Sequence, residues 1–317
     1  MLSRTAANLY WMSRYVERAE TNVRLLEVAA RQALLPDTGG GNRNEWESVL
    51  LASGTKPAFD QKYGEAVERN VETHLFFDLD NPSSVASCLT QARENGRIVR
   101  TALTTQVWEA LNNAWSETRD LARQERSSLA TRDLVDWTLR TTALIRGSML
   151  ATQLRNDGWD FMNIGTYLER ADSTARLIDV KYYVLLPHVS MVGSGLDNYQ
   201  WRTLLRALNG TRAFSWVYGG EVTATKIVDL LVLNRIFPRS LVSSVDEVVA
   251  HLERLGRAYG RTTDAQAAAR SLSARLAATD APAIFDEGLH DFLQDFMREV
   301  GALGIAVNRA YLSGDAR

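Results

Sequence analysis

Glutamate and arginine side chains recur together at two places 152 positions apart, and their types and spacing fit chemistry better than anything else in the chain. In YVERAETNVRLLEV, from Tyr15 to Val28, Glu17, Glu20 and Arg24 fall three, four and seven residues apart, with Arg18 on the adjoining row. Residues so spaced share one side of a helix and form a continuous polar strip. YLERADSTARLIDV, from Tyr167 to Val180, supplies Glu169, Arg170, Asp172 and Arg176 at the same places. Guanidinium groups grip a carboxylate or phosphate through two parallel hydrogen bonds, and a carboxylate with a raised pKa moves a proton. Glu17 and Glu169 are therefore the expected proton-transfer residues. Tyr15, Arg18, Glu20, Arg24, Tyr167, Arg170, Asp172 and Arg176 are expected to hold the ligand. The plainer alternative is a set of interhelical salt bridges that fixes register and binds nothing. Trp11 and Leu25 lie seven residues to either side of Arg18, so that guanidinium is expected to be incompletely solvated; in the second copy Asn163 replaces Trp11.

The elements carrying these residues are legible as repeats. Across the two fourteen-residue stretches seven positions are identical and five more exchange like for like, which reads as an internal duplication. It extends further: Asn44 to Gly54 lines up with Tyr199 to Gly210 after one inserted residue, and Asn81 to Leu89 with Phe237 to Val245, matching Pro82 to Pro238 and Ser84 to Ser240. Trp46 and Trp201 occupy equivalent positions, which favours packing roles. The displacement grows only from 152 to 156, giving halves of about 1–156 and 157–317 within one domain.

Leu9, Met12, Val16, Ala19, Val23, Leu26, Ala30 and Ala33 alternate three and four apart, the spacing of one helical face, and Phe161, Ile164, Leu168, Ala171, Ala175, Ile178 and Tyr182 repeat it. Pro36 and Pro187 are the expected stops. No period-two run bounded by turns occurs, so the chain is expected to be all-α. Helices are predicted at about Glu45 to Ser53, Gly64 to Phe77, Ser83 to Leu103, Gln106 to Ser127, Thr131 to Asn156, Tyr199 to Leu208, Val222 to Leu233, Ser240 to Tyr259, Asp264 to Ala278 and Ala283 to Leu312. Two halves with the same helix order imply a tandem-duplicated helical bundle with a pseudo-twofold axis and the two long opening helices at its centre.

Composition excludes several classes. At 317 residues, 45% hydrophobic and 23% charged, the chain is globular, and its net charge of -2 gives no bulk case for nucleic acid. Cys88 is the single cysteine, so neither an intrachain disulfide nor a cysteine metal cage is available. Arg4 interrupts the amino terminus before any apolar run, and no stretch approaches eighteen apolar residues, so a cytoplasmic protein without membrane insertion is expected. Gly39 to Gly41 follow a helix and lack a GK[ST] ending, so ATP binding and other cofactors are not expected. His74, His188, His251 and His290 are scattered, and only Glu287 with His290 forms an ExxH pair, short of the set a di-iron bundle needs.

A second polar group, Arg93, Asn95, Arg97 and Arg100 in ARENGRIVR, puts its three arginines on one helical side, where charge runs are ordinarily solvated. Taken with LYWMSRYVERAE near the start, FMNIGTYLERADSTARLIDVKYYVLL in the middle, WEALN from Trp108 to Asn112 and FPRS from Phe237 to Ser240, the chain resembles the alpha-E domain family of bacterial all-helical proteins. The resemblance implies partnership with circularly permuted ATP-grasp ligases and transglutaminase-like peptidases, in peptide synthesis or modification. It also implies a place for Arg93, Asn95, Arg97 and Arg100 beside the central seam, with Glu109 and Asn112 nearby. Two positions depart from the family pattern: Thr166 stands where an arginine is common, and Tyr183 where a histidine is frequent.

Overall fold

The structure, a computed structural model, describes residues 1–34, 45–183 and 194–313, and all regular elements among them are helical. In chain order the α-helices are α1 (Ser3–Gln32), α2 (Glu45–Ser53), α3 (Lys56–Lys62), α4 (Glu68–Glu72), α5 (Val85–Ile98), α6 (Thr105–Arg123), α7 (Thr131–Thr152) and α8 (Asp157–Tyr183). They continue as α9 (Gly195–Ala207), α10 (Thr211–Val217), α11 (Ala224–Val228), α12 (Leu241–Tyr259), α13 (Asp264–Ala277), α14 (Ala281–Glu287) and α15 (Leu289–Val307). Wider, π-type turns extend α4, α11 and α15 at Thr73–Phe77, Asp229–Leu233 and Asn308–Leu312.

The apolar stripes of α1 and α8 are buried as their spacing predicts, from Leu9 to Leu26 and from Phe161 to Ile178. These two helices, 30 and 27 residues long, pack more extensively on each other than any other pair does. They run side by side in the same direction: Leu9 neighbours Gly158, the Tyr10 carbonyl neighbours Gly165, and Glu17 meets Arg170. The approach is closest at Gly165, where a Cβ would fall 2.3 Å from the Tyr10 carbonyl oxygen, so the backbones meet there only because glycine has no side chain.

Around this pair, α5, α7, α2 and α9 cover α1, while α12, α15 and α2 cover α8. With neighbours on every side, α1 and α8 bury polar residues as well as apolar ones, and buried charges must find partners. Both α5 and α12 begin at a serine cap: Ser84 Oγ accepts from Ser87 N at 3.1 Å, and Ser240 Oγ accepts from Ser243 N at 3.0 Å.

The structure departs from expectation at several elements. Helix α3 is not among the segments that periodicity predicts; Pro57 falls in its first turn, where a proline lacks no bond it needs. Helix α10 had no signal in the periodicity. The single helix expected from Ala283 to Leu312 is divided at Gly288, whose φ of +105° no helix tolerates. Trp46 and Trp201 are buried, but Trp216 on α10 is 89% exposed rather than packed. The stops assigned to Pro36 and Pro187, the Gly39 to Gly41 connector and His188 lie outside the described residues.

Candidate functional site

Glu17 is 1% exposed and its carboxylate is enclosed by three guanidiniums. Arg170 reaches it from α8, Nε to Oε1 at 2.9 Å and Nη2 to Oε2 at 3.1 Å; Arg146 of α7 donates to Oε2 at 3.0 Å, and Arg239 donates to Oε1 at 3.1 Å from the turn before α12. One helical turn on, Glu20 receives Arg24 at 2.6 Å, Thr142 at 3.1 Å and further bonds from Arg146 and Arg239. Arg24 also donates to the Ala207 carbonyl. This part of the seam is closed.

The α8 carboxylates are held differently. Arg18 donates Nε to Glu169 Oε1 at 2.6 Å and Nη2 to Oε2 at 3.1 Å, while Arg14 donates to Oε2 at 2.6 Å. Arg176 binds Asp172 through Nε at 2.6 Å and also donates to the Ala52 carbonyl at 3.3 Å. Here the seam opens into a cavity of about 240 Å³ lined by Arg18, Asn22, Ser53, Ser83, Glu169, Asp172, Ser173 and Arg176 among others. Arg18 and Arg176 are about one-third exposed at 27% and 33%, and Asp172 at 21%.

Electrostatics follow the enclosure. Burial alone would push each carboxyl up, but Arg170, Arg146 and Arg239 hold Glu17 well below the ordinary value. Burial likewise opposes ionisation of Glu20, yet Arg239, Arg24 and Arg146 bring it from 4.5 to about 2; Arg14 and Arg18 do the same to Glu169, with direction downward. Arg239 goes the other way: burial, with Arg24 and Arg170 close by, lowers it to about 10 against the pull of Glu20 and Glu17. A carboxylate held ionised is a weak base and, at neutral pH, no acid. Burial pushes the Cys88 thiol up to about 12, which leaves it without thiolate character.

Of the residues singled out by sequence, Glu17, Arg18, Glu20, Arg24, Glu169, Arg170, Asp172 and Arg176 all join this seam. Tyr15 and Tyr167 flank it, their rings 5.7 Å and 5.3 Å from the guanidinium carbons of Arg18 and Arg170. Arg93, Asn95 and Arg97 of α5 and Arg100 in the turn after it do not join it; Arg93 and Arg100 are engaged by α6 side chains, Asn95 and Arg97 within α5. Arg93 donates to Asn112 at 3.0 Å and lies 4.5 Å from the Trp115 ring, Arg97 pairs with Glu94 at 2.8 Å, Arg100 lies over Trp108, and Asn95 caps back on the Gln91 carbonyl. Their described contacts stay on α5, the turn after it and α6, and none reaches the seam.

Arg14, Arg146, Arg239 and Ser83 are site residues that helical spacing missed. Thr166, 152 positions after Arg14, turns its hydroxyl to the Met162 carbonyl at 3.1 Å. Beside Tyr183, His290 sets its Nδ1 2.7 Å from Asp179, its ring 5.9 Å from that of Tyr183. Among the described residues no three His, Cys, Asp or Glu side chains converge as a metal site would require, and no helix is long and apolar enough to cross a membrane.

A family model, Alpha-E, described as a predicted alpha-helical domain with a conserved ER motif, matches residues 1–312. Uncharacterized proteins of Mycobacterium bovis and of two strains of Mycobacterium tuberculosis are each 24% identical over 278 residues, covering 81% of this chain. The chain spans about 30% of the length of these relatives. No solved structure matches.

Proposed function

The chain belongs to the Alpha-E family, and from that membership and the cavity beside Asp172 we propose a helical component of a peptide synthesis or modification system that binds a carboxylate-bearing, peptide-like ligand. One observation carries this reading: Arg18 and Arg176 reach a surface-open cavity, among serine hydroxyls, on the α8 side of a seam that is closed on the α1 side. A carboxylate there would meet guanidinium donors and hydroxyl donors in a partly desolvated place, where charge-assisted hydrogen bonds are strongest. The ER of the family description corresponds, in this reading, to Glu17–Arg18 and Glu169–Arg170. Their glutamates act as fixed anchors for the arginines rather than as proton carriers, because each is held ionised by its partners.

The seam also supports a tandem duplication about a pseudo-twofold axis, within a single domain. Arg18 grips Glu169 as Arg170 grips Glu17, and Arg176 reaches the Ala52 carbonyl as Arg24 reaches that of Ala207. Partnership with an ATP-grasp ligase and a transglutaminase-like peptidase rests on the family resemblance. The much greater length of the relatives accords with a module that works beside other polypeptide. The test is a reconstituted reaction with the ATP-grasp partner: Arg176→Gln lowers product formation about ten-fold or more while Arg97→Gln, on the separate α5 surface, leaves it unchanged. Equal turnover by folded Arg176→Gln and wild type rejects the binding role. The second reading, a purely structural seam with the chain serving as a docking partner, is favoured by the closure around Glu17 and Glu20.

A further inference from the structure

Among the differences between the two sides of the seam, one bears directly on the cavity: Ser83 stands where the other side has Arg239. Arg239 and Ser83 occupy matching turns: Ser84 N bonds the Asn81 carbonyl at 3.0 Å before the Ser84 cap, and Ser240 N bonds the Phe237 carbonyl at 3.0 Å before the Ser240 cap. Each turn follows a π-type turn and leads into a helix packed on one of the central pair, α5 on α1 and α12 on α8. From the second turn, Arg239 sends its guanidinium between Glu17 and Glu20 and bonds both. From the first, Ser83 has no such reach, and the cavity bounded by Ser83, Glu169 and Asp172 lies in the corresponding place.

Neighbouring groups correspond too. Arg170 and Arg24 flank the Arg239 guanidinium, while Arg18 and Arg176 line the cavity. Around Glu17 and Glu20 stand four guanidiniums, those of Arg24, Arg146, Arg170 and Arg239; around Glu169 and Asp172 stand three, those of Arg14, Arg18 and Arg176. Arg14 gives Glu169 Oε2 what Arg146 gives Glu17 Oε2, so the missing member is the one Ser83 replaces. The side that contains all four already illustrates how a planar two-pronged cation is accommodated between paired carboxylates. Asp172, partly exposed and bonded among the described residues by Arg176 alone, keeps acceptor capacity for it.

We infer that the ligand of this cavity carries a guanidinium group, which bridges Glu169 and Asp172 as Arg239 bridges Glu17 and Glu20, together with a carboxylate that the outward faces of Arg18 and Arg176 receive. The chemical class is arginine, free or at the end of a peptide. This rests on the reading of the cavity as a binding site and adds the cationic half of the ligand to it. The carboxylate also offsets the excess of positive charge that a guanidinium alone would raise.

The test is calorimetric titration of the full chain with L-arginine, the tripeptide Gly-Gly-Arg, butylguanidine and pentanoate. Binding of L-arginine or the tripeptide about ten-fold or more tighter than pentanoate is expected, and the tighter of the two identifies free or peptide-borne arginine as the source. Asp172→Asn weakens arginine binding by about ten-fold more than it changes pentanoate binding. Ser83→Arg supplies the guanidinium from within, melts above the wild type and no longer binds L-arginine. Pentanoate binding as tightly as arginine overturns the guanidinium inference and leaves the carboxylate site standing. Butylguanidine binding as tightly as arginine upholds the guanidinium and removes the carboxylate role; silence from all four ligands removes both. If Ser83→Arg does not fold, Asp172→Asn decides: unchanged arginine affinity overturns the inference.

Discussion

At Glu17 the number of partners sets the expected cost of losing charge. Three arginines converge on this carboxylate, and replacing it by glutamine leaves them with an amide where an anion stood. Removing one partner of a buried ionic set costs about 3 to 5 kcal/mol, so Glu17→Gln should lower the unfolding free energy by about that amount in urea titrations. Glu169→Gln, which leaves two arginine partners rather than three facing an amide, should cost less. Equal losses would contradict the difference in enclosure. Acid sensitivity follows from the same residues. Glu17, Glu20 and Glu169 have folded pKa values below their unfolded ones, so their contribution is fully present above about 4.5 and is lost as pH falls through the folded values. For Glu20 that window runs from 4.5 down to about 2. Thermal melts should hold level above the window and fall within it; a melting temperature that does not change between about pH 5, above the window, and about pH 3, inside it, would contradict the pairing.

Among elements, the approach of α1 to α8 depends on Gly165. A methyl group there would collide with the Tyr10 carbonyl, which is backbone and cannot swing aside as a side chain does. Gly165→Ala should therefore cost about 1 to 3 kcal/mol by overpacking, although alanine is the better helix former. A variant as stable as the wild type in the same titration would mean that the helices separate without penalty. That α1 and α8 exist, and which face each buries, was legible in the three-and-four spacing of Leu9 to Leu26 and Phe161 to Ile178. The likeness of the two fourteen-residue stretches also brought Arg18 and Arg170 forward as partners for the opposite helix. Arg146 and Arg239 were not legible in this way. They arrive from α7 and from the turn before α12, and periodicity within one helix says nothing about which distant guanidinium will neutralise its buried acid. Arg239 lay within FPRS, a segment marked by family likeness and by the alignment of Pro82 with Pro238 and Ser84 with Ser240, and its importance emerges once Ser83 is set beside it. The division of α14 from α15 was hidden for a different reason: the apolar pattern continues through Gly288, and only the backbone angle reveals the break.

For the molecule as a whole, two long helices buried on all sides force a charged seam to be satisfied from the layers around them, and those layers satisfy it unequally. The α1 carboxylates are sealed by α7 and the turn before α12; the α8 carboxylates face Ser53 and Ser83 across an opening. Binding is accordingly assigned to one side of a seam whose sequence looks the same on both. The arginines themselves can report this. In an NMR titration of the full chain with L-arginine, followed through the arginine Nε–H signals, Arg18 and Arg176 should shift progressively while Arg24, Arg170 and Arg239 stay in place. Shifts confined to the second group, or none in the first, would contradict the assignment of the site to the α8 side.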